Sequence, residues 1–201
     1  QYVRPGGERT KEIPAEAREK INLAALEQGG KTAPQVSSPG CLFGNPVTGS
    51  IARAFLGDEA QYKVGLSRYQ NGDYQGAIDA FTRVHQDYPQ SAFRGSAYYW
   101  EGESYYRLGQ FDKALAAYQQ VIQHFPGERL RDYALLSAAD VHLRAQRPAD
   151  AIALLRELVA TYPSSSTNAL ARRYLAEALF RAGRYAEAAD AYSQLLQASQ
   201  G

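Results

Sequence analysis

The chain has 201 residues, 45% of them hydrophobic, and a formal net charge of +1. This composition supports a folded domain with a sizeable core and excludes disorder of the whole chain. Charge is balanced along the sequence, with 7 Lys/Arg and 5 Asp/Glu in residues 1–57 and 15 and 16 in residues 58–201. We therefore expect no nucleic-acid partner, which would favour a basic block. The sequence has no run of about 18 apolar residues, so we also expect no transmembrane segment.

Residues 1–57 are predicted to form a mostly irregular N-terminal arm, because glycine and proline interrupt them repeatedly. We expect one short helix at about residues 14–28, with Pro14 at its first position. The single cysteine, Cys41, excludes an internal disulfide framework. We interpret it as a buried thiol, with an intermolecular bridge or a covalent attachment as alternatives. A short apolar cluster in residues 51–56 is expected to cap the first repeat.

Residues 58–199 contain four repeats with a period of 37 residues. One position is alanine in all four repeats: Ala77, Ala114, Ala151 and Ala188. Another position stays large and mostly aromatic: Phe81, Tyr118, Leu155 and Tyr192. Each repeat shows two apolar stripes at helical spacing, which predicts two amphipathic helices. One such helix pair cannot bury its apolar face alone, so we expect neighbouring repeats to stack.

Turns and small residues divide the repeats. The turn inside each helix pair is predicted near Gly72, Gly109, Gln146 and Gly183. Glycine suits a left-handed residue at a helix C-terminus, where a Cβ would be costly. Proline is expected to stop the second helix of the first three repeats, at Pro89, Pro126 and Pro163. Small residues at Gly65, Gly102, Ala139 and Ala176 should let the two helices approach closely.

This pattern resembles the tetratricopeptide repeat (TPR) family over residues 58–199. The resemblance implies an all-α fold, a right-handed TPR solenoid of four helix-turn-helix repeats. The repeat ends Tyr88-Pro89, Phe125-Pro126 and Tyr162-Pro163 resemble a bacterial-envelope subgroup, which includes the Tol-Pal-associated protein YbgF (CpoB) and the TPR lipoprotein of the outer-membrane assembly machine. That similarity implies an extracytoplasmic protein in the periplasm, associated with the outer membrane, or secreted.

The resemblance also implies a concave groove, lined mainly by the first helix of each repeat, that binds other proteins. Aromatic and arginine side chains at groove positions are typical of protein interaction hot spots. The candidate partner-binding residues are Tyr62, Tyr69, Tyr99, Glu103, Tyr106, Arg107, Tyr133, Asp140, Arg144, Arg173, Glu177, Phe180 and Arg181. For each tyrosine, simple packing between helices is an equally weighted alternative.

We expect no enzyme activity and no cofactor. No phosphate-binding glycine loop and no nucleophile with a nearby base is evident in the sequence. The three histidines, His85, His124 and His142, do not share one repeat position, so we expect no metal site. The sequence therefore predicts a protein–protein interaction scaffold. The alternative is a structural protein that self-assembles through contacts of its C-terminal repeat and N-terminal arm, where Tyr185, Ala189, Tyr192 and Leu196 are expected to lie uncovered.

Overall fold

The computed structural model describes residues 57–198, which hold eight helices and no strand. The helices are α1 (Asp58–Gln70), α2 (Tyr74–Asp87), α3 (Arg94–Arg107), α4 (Phe111–His124), α5 (Arg131–Arg144), α6 (Pro148–Thr161), α7 (Asn168–Arg181) and α8 (Tyr185–Ala198). The described chain divides into two compact units, residues 57–138 and 139–198. The predicted arm helix, Cys41 and the apolar cluster of residues 51–56 lie outside the described residues, so the boundary at residue 57 stays a prediction.

The turn inside each helix pair has the same geometry in all four repeats. The three glycines at these turns have positive φ, between 73° and 78°, and Gln146 takes the same conformation with φ 57°. In each turn the backbone N–H two residues after the helix C-cap donates to a carbonyl five residues earlier, over 2.9 Å. This is the Schellman arrangement that closes a helix end. The predicted turn positions are confirmed, including the one that lacks glycine.

Six residues connect each helix pair to the next, at 88–93, 125–130 and 162–167. Each connection begins with an aromatic C-cap residue followed by proline, as at Phe125 and Pro126. Proline cannot continue a helix because it has no N–H and clashes with the preceding turn. The predicted stop after the second helix is therefore confirmed in the first three repeats.

Small residues allow close helix contact in the unit of residues 57–138. A Cβ built on Gly65 would lie 2.4 Å from the Phe81 ring, and one on Gly102 would lie 2.6 Å from the Tyr118 ring. Such distances are impossible for a real side chain unless the ring moves. Ala114 is completely buried, as its predicted packing position requires. The ring of one helix therefore occupies the space that the small residue of its partner leaves open.

Each unit has its own core of packed consecutive helices. In residues 57–138, α1 packs on α2, α2 on α3, and α3 on α4. The largest fully buried side chains there are Trp100, Tyr99, Tyr118 and Phe81. In residues 139–198, α6 packs on α7 and α7 on α8. That core is mainly aliphatic, and its buried members include Leu155, Leu158, Tyr174 and Leu179.

Candidate protein-interaction surface

An aromatic pair spans the turn of the first, second and fourth repeats. The pairs are Tyr69 with Tyr74, Tyr106 with Phe111, and Phe180 with Tyr185. Their ring centroids lie 5.4, 5.3 and 5.4 Å apart, and all three contacts are edge-to-face. The pairs occupy the same repeat position, since their members are 37, 74 or 111 residues apart, which are multiples of the repeat period. The third repeat has Leu143 and Pro148 at these positions.

The three pairs differ strongly in exposure. Tyr69 is 7% exposed because its ring packs edge-to-face on Trp100 at 5.0 Å. Phe111 is 37% exposed, whereas Phe180 and Tyr185 are 58% and 64% exposed. Within residues 57–198, the Phe180–Tyr185 pair is thus the aromatic pair with both rings open to a partner. We refer to it below as the exposed pair.

Several predicted partner-binding residues of the first unit are buried in the core. Tyr62 stacks on Phe93 with ring centroids 5.2 Å apart, and burial raises the pKa of Tyr62 to about 12. Tyr99 is completely buried, and its ring contacts Trp100 and Tyr133 at centroid distances of 5.2 and 6.3 Å. These tyrosines pack between helices, and direct partner contact by them stays a prediction.

Glu103 is a buried carboxylate with two hydroxyl donors. The Tyr118 hydroxyl donates to Glu103 Oε1 over 2.6 Å, and Ser137 Oγ donates to the same oxygen over 2.9 Å. Glu103 lies on α3, Tyr118 on α4 and Ser137 on α5. Because a buried carboxylate is costly unless it is hydrogen-bonded, these contacts fix the three helices in one arrangement. The structure gives Glu103 this packing role.

Tyr106 and Arg107 lie at the edge of the same unit. Tyr106 is half-buried against Phe111, and Arg107 is exposed. The Arg107 Nε–H donates to the Tyr69 hydroxyl over 3.3 Å, so this contact joins α3 to α1. Arg107 therefore covers the first aromatic pair and leaves its own guanidinium at the surface.

In the unit of residues 139–198, four of the predicted partner-binding residues form two ion pairs, each within one helix. Arg144 Nε donates to Asp140 Oδ2 over 2.9 Å, and Arg181 pairs with Glu177 one turn earlier on α7. Asp140 is buried, whereas Glu177 and Arg181 are partly exposed. A partly exposed helical pair such as Glu177–Arg181 contributes only about 0.3–0.5 kcal/mol to stability. The Arg181 guanidinium is therefore available to a partner at small cost to the fold, whereas Arg144 is held by the buried Asp140 carboxylate.

Arg173, Arg181 and Arg184 lie within seven residues of the exposed pair in the sequence. Arg181 follows Phe180 in sequence, and Arg173 is exposed, with its guanidinium 5.7 Å from the centre of the Tyr174 ring. Beside Tyr185, Arg184 donates twice to Glu187, over 2.6 and 2.8 Å. Those hydrogen bonds lower the pKa of Glu187, and Arg156 contributes a further one over 2.6 Å. The surface thus combines exposed rings with oriented charged groups.

Sequence reasoning missed the second member of each aromatic pair, namely Tyr74, Phe111 and Tyr185 as partners of the ring before the turn. The 37-residue spacing carries this signal, because all three fall at one repeat position. It was overlooked since the position lies on the second helix, whereas the groove was assigned mainly to first helices. The Glu187 cluster has no repeating signal in the sequence.

Two other features are absent from the described part of the chain. No group of three or more His, Cys, Asp and Glu side chains within residues 57–198 could hold a metal ion. None of the eight helices there is both long and apolar enough to cross a membrane. The fold and surface together define a repeat protein of paired helices with an exposed aromatic–arginine patch.

The family follows from comparison with known sequences. One profile described as tetratricopeptide repeat matches residues 99–166 and 136–201, and a second profile of the same description matches residues 59–91. The chain belongs to the tetratricopeptide repeat family. Proteins of this fold are in general non-catalytic scaffolds that mediate protein–protein interactions. The search of curated proteins found no match.

Solved structures show the same fold. A crystal structure of MamA is 18% identical, covers 76% of this chain and 84% of its own, and superposes with a TM-score of 0.64. MamA 41-end from Desulfovibrio magneticus RS-1 is 18% identical, with coverages of 92% and 95% and a TM-score of 0.61. A chain of the APC/C hetero-tetramer Cut9–Hcn1 is 23% identical over 66% of this chain and 25% of its own, with a TM-score of 0.55. The predicted all-α TPR solenoid fold is therefore confirmed, and its right-handed sense stays a prediction.

Proposed function

We propose that this chain is a non-catalytic scaffold that holds other proteins in an extracytoplasmic assembly, with the exposed pair at the centre of its binding surface. The observation that carries the proposal is the exposure of Phe180 and Tyr185, at 58% and 64%. The equivalent ring Tyr69 is buried against Trp100, so this repeat position favours an aromatic contact. In the fourth repeat, a partner side chain would supply that contact.

The chemistry of the patch suits a protein partner. Aromatic rings and arginines dominate the binding energy of protein interfaces, especially when less critical residues around them exclude water. Phe180 and Tyr185 already hold each other edge-to-face, so little side-chain freedom would be lost on binding. Arg181 and Arg173 would then pair with carboxylates or carbonyls of the partner, with Arg107 and Arg144 as further candidates from the predicted groove.

The test measures the affinity of the chain for a partner protein that is purified together with the native chain from its source cells. We expect the double change Phe180→Ala and Tyr185→Ala to weaken binding about 30-fold or more, since a hot spot contributes at least about 2 kcal/mol. Tyr192→Ala is the matched control, because it removes an exposed ring from the same helix α8. Unchanged affinity in the double variant, with helix content preserved, would exclude the exposed pair as the site.

The proposed compartment rests on the repeat ends Tyr88-Pro89, Phe125-Pro126 and Tyr162-Pro163, which resemble those of bacterial-envelope TPR proteins. Fusion of alkaline phosphatase to the C-terminus in the native source tests it, because that enzyme is active only after export from the cytoplasm. We expect an active fusion. An inactive fusion with full-length protein in the cytoplasm would refute the compartment and leave the binding surface unaffected.

Self-assembly is the alternative function, and a separate observation favours it. Tyr192 and Leu196 on α8 are 45% and 61% exposed, as the sequence predicted for the last repeat. A second copy of the chain could cover them. Sedimentation velocity over a wide concentration range distinguishes the two functions, because a scaffold for other proteins should stay monomeric alone. Polymers that grow with concentration and shrink in a Tyr192→Ser variant would establish the alternative.

A further inference from the structure

A shallow groove of about 420 Å³ lies between α3 and α4 in the unit of residues 57–138. Its lining residues are Tyr98, Glu101, Tyr105, Lys113, Ala116, Ala117 and Gln120. On helical geometry, Tyr98, Glu101 and Tyr105 share one face of α3, about 120° away from the face that carries Tyr99 and Tyr106. The groove shares no residue with the surface proposed above, so the two assignments are independent.

A buried histidine holds the carboxylate of this groove in place. His85 Nε2 and Glu101 Oε2 are 2.9 Å apart, and their side chains are only 9% and 13% exposed. A carboxylate can only accept at this contact, so Nε2 carries the hydrogen and donates it. The His85 ring also stacks on Tyr98, with centroids 3.6 Å apart and an interplanar angle of 8°. Glu101 is thus fixed beside an aromatic wall before any ligand arrives.

The ammonium group of Lys113 lies at the rim of the groove. Lys113 Nζ lies 5.4 Å from the centre of the Tyr105 ring, within the range of a cation–π contact. Burial raises the pKa of the Tyr105 hydroxyl, and the carboxylates of Glu101 and Asp79 raise it further. Both carboxylates therefore make the surroundings of this ring electrostatically negative, which favours positive ligands over negative ones.

The fourth repeat has a groove at the same register with different chemistry. It is about 170 Å³ in volume and is lined by Val159, Arg172, Leu175, Ala191, Gln194 and Leu195. Counting 74 residues along the sequence aligns Val159 with His85, Leu175 with Glu101, and Arg172 with Tyr98. Leucine packs at the position of Glu101, so the fold does not require a carboxylate there. The packing of the fold therefore does not account for the pair that joins His85 of the first repeat to Glu101 of the second.

We propose that the groove between α3 and α4 binds an arginine or lysine side chain from a basic segment of a partner protein. The cation would lie against the Tyr98 and Tyr105 rings, and its head group would hydrogen-bond the Glu101 carboxylate that His85 orients. Aromatic walls and a fixed carboxylate together favour a cation with an apolar stem. Arginine would gain more, because its planar group stacks on a ring and pairs with a carboxylate at once.

The test uses three peptides of the form acetyl-Gly-Ser-Gly-X-Gly-Ser-Gly-amide, in which X is arginine, lysine or the neutral isostere citrulline. They are titrated into the full-length ¹⁵N-labelled chain, and amide shifts are followed by NMR, which detects weak binding. We expect saturable shifts at Glu101, Tyr105 and Ala116 with arginine and lysine, and none with citrulline. Equal shifts with citrulline, or shifts confined to the exposed pair, would overturn the proposal.

Two variants with opposite expected effects on affinity distinguish a loss of binding from a loss of folding. Glu101→Gln still accepts from His85 but has no charge, so affinity should fall about fivefold. Lys113→Glu removes the competing cation, so affinity should rise about threefold or more, which unfolding cannot produce. Glu59→Gln, an equal loss of charge at an exposed site on α1, should change nothing. Unchanged affinity in both groove variants would refute the assignment.

Discussion

Replacement of Gly102 by alanine tests the close packing on which each helix pair depends. The added Cβ would lie 2.6 Å from Tyr118 Cε1, 2.8 Å from Cδ1 and 3.3 Å from the Ala114 carbonyl oxygen. The Tyr118 ring must therefore move. It is completely buried, and its hydroxyl donates to Glu103 over 2.6 Å, so any shift also disturbs that hydrogen bond.

The expected magnitude is a balance of two effects. Overpacking a well-packed core costs about 1–3 kcal/mol, and disturbing the Tyr118–Glu103 hydrogen bond adds roughly 1 kcal/mol. Alanine in place of glycine inside a helix stabilises by about 1 kcal/mol. We therefore expect a net loss of about 1–3 kcal/mol in the free energy of unfolding. Urea unfolding followed by far-UV circular dichroism measures it.

The third repeat shows which second substitution should compensate for the Gly102→Ala change. At the corresponding positions it carries Ala139 and Leu155, a larger residue opposite a smaller one. The double variant Gly102→Ala with Tyr118→Leu should therefore lose about 1 kcal/mol less than the sum of the two single losses. A Gly102→Ala variant as stable as the native chain, with no coupling to position 118, would refute the packing argument.

Two further predictions concern a strained turn and a buried histidine. Gln146 has a φ of 57°, which is costly for a residue with a Cβ, so Gln146→Gly should stabilise the chain by about 0.5–1 kcal/mol. The same urea assay checks this, and a loss of stability would show that the Gln146 side chain contributes more than the strain costs. Burial lowers the pKa of His142, with Arg147 acting in the same direction against the opposing charge of Asp150. The His142 imidazole therefore binds a proton more readily in the unfolded chain than in the folded chain. The contribution of neutral His142 to the free energy of unfolding is complete above the unfolded pKa of about 6.5, and it is lost as pH falls through the lower folded pKa. His142→Asn should reduce the loss of unfolding free energy between about pH 7.5 and 5.5, and an unchanged loss would exclude His142 as its source.

Much of the fold could be predicted because the repeat register constrains it. The 37-residue spacing placed the turn at Gln146 even though glycine is missing there, and the structure gives Gln146 the same left-handed conformation as Gly109. A small residue for close helix contact was also predicted at Gly102, and the structure places the Tyr118 ring against it. Such features depend on residue size and backbone conformation, which a repeating sequence displays directly.

The candidate surface was harder to predict, because burial depends on what the neighbouring repeats contribute. Tyr99 and Phe180 were both assigned to the groove, yet Tyr99 is completely buried and Phe180 is 58% exposed. No local pattern separates them. The groove at Glu101 depends on His85, sixteen residues earlier on another helix, and only the packing of α2 against α3 brings the two side chains together.

Site-specific photocrosslinking in the native source cells tests the central claim most directly. A photoreactive benzoylphenylalanine placed at position 180 keeps an aromatic ring in the exposed pair, and the same residue at Ala160, an exposed site on α6, is the control. The account predicts a discrete crosslink to a different protein from position 180 that is absent from position 160. Crosslinks of equal yield at both positions, or none at position 180, would contradict a binding surface at the exposed pair, and a crosslink from position 180 to another copy of the chain would contradict a scaffold for other proteins.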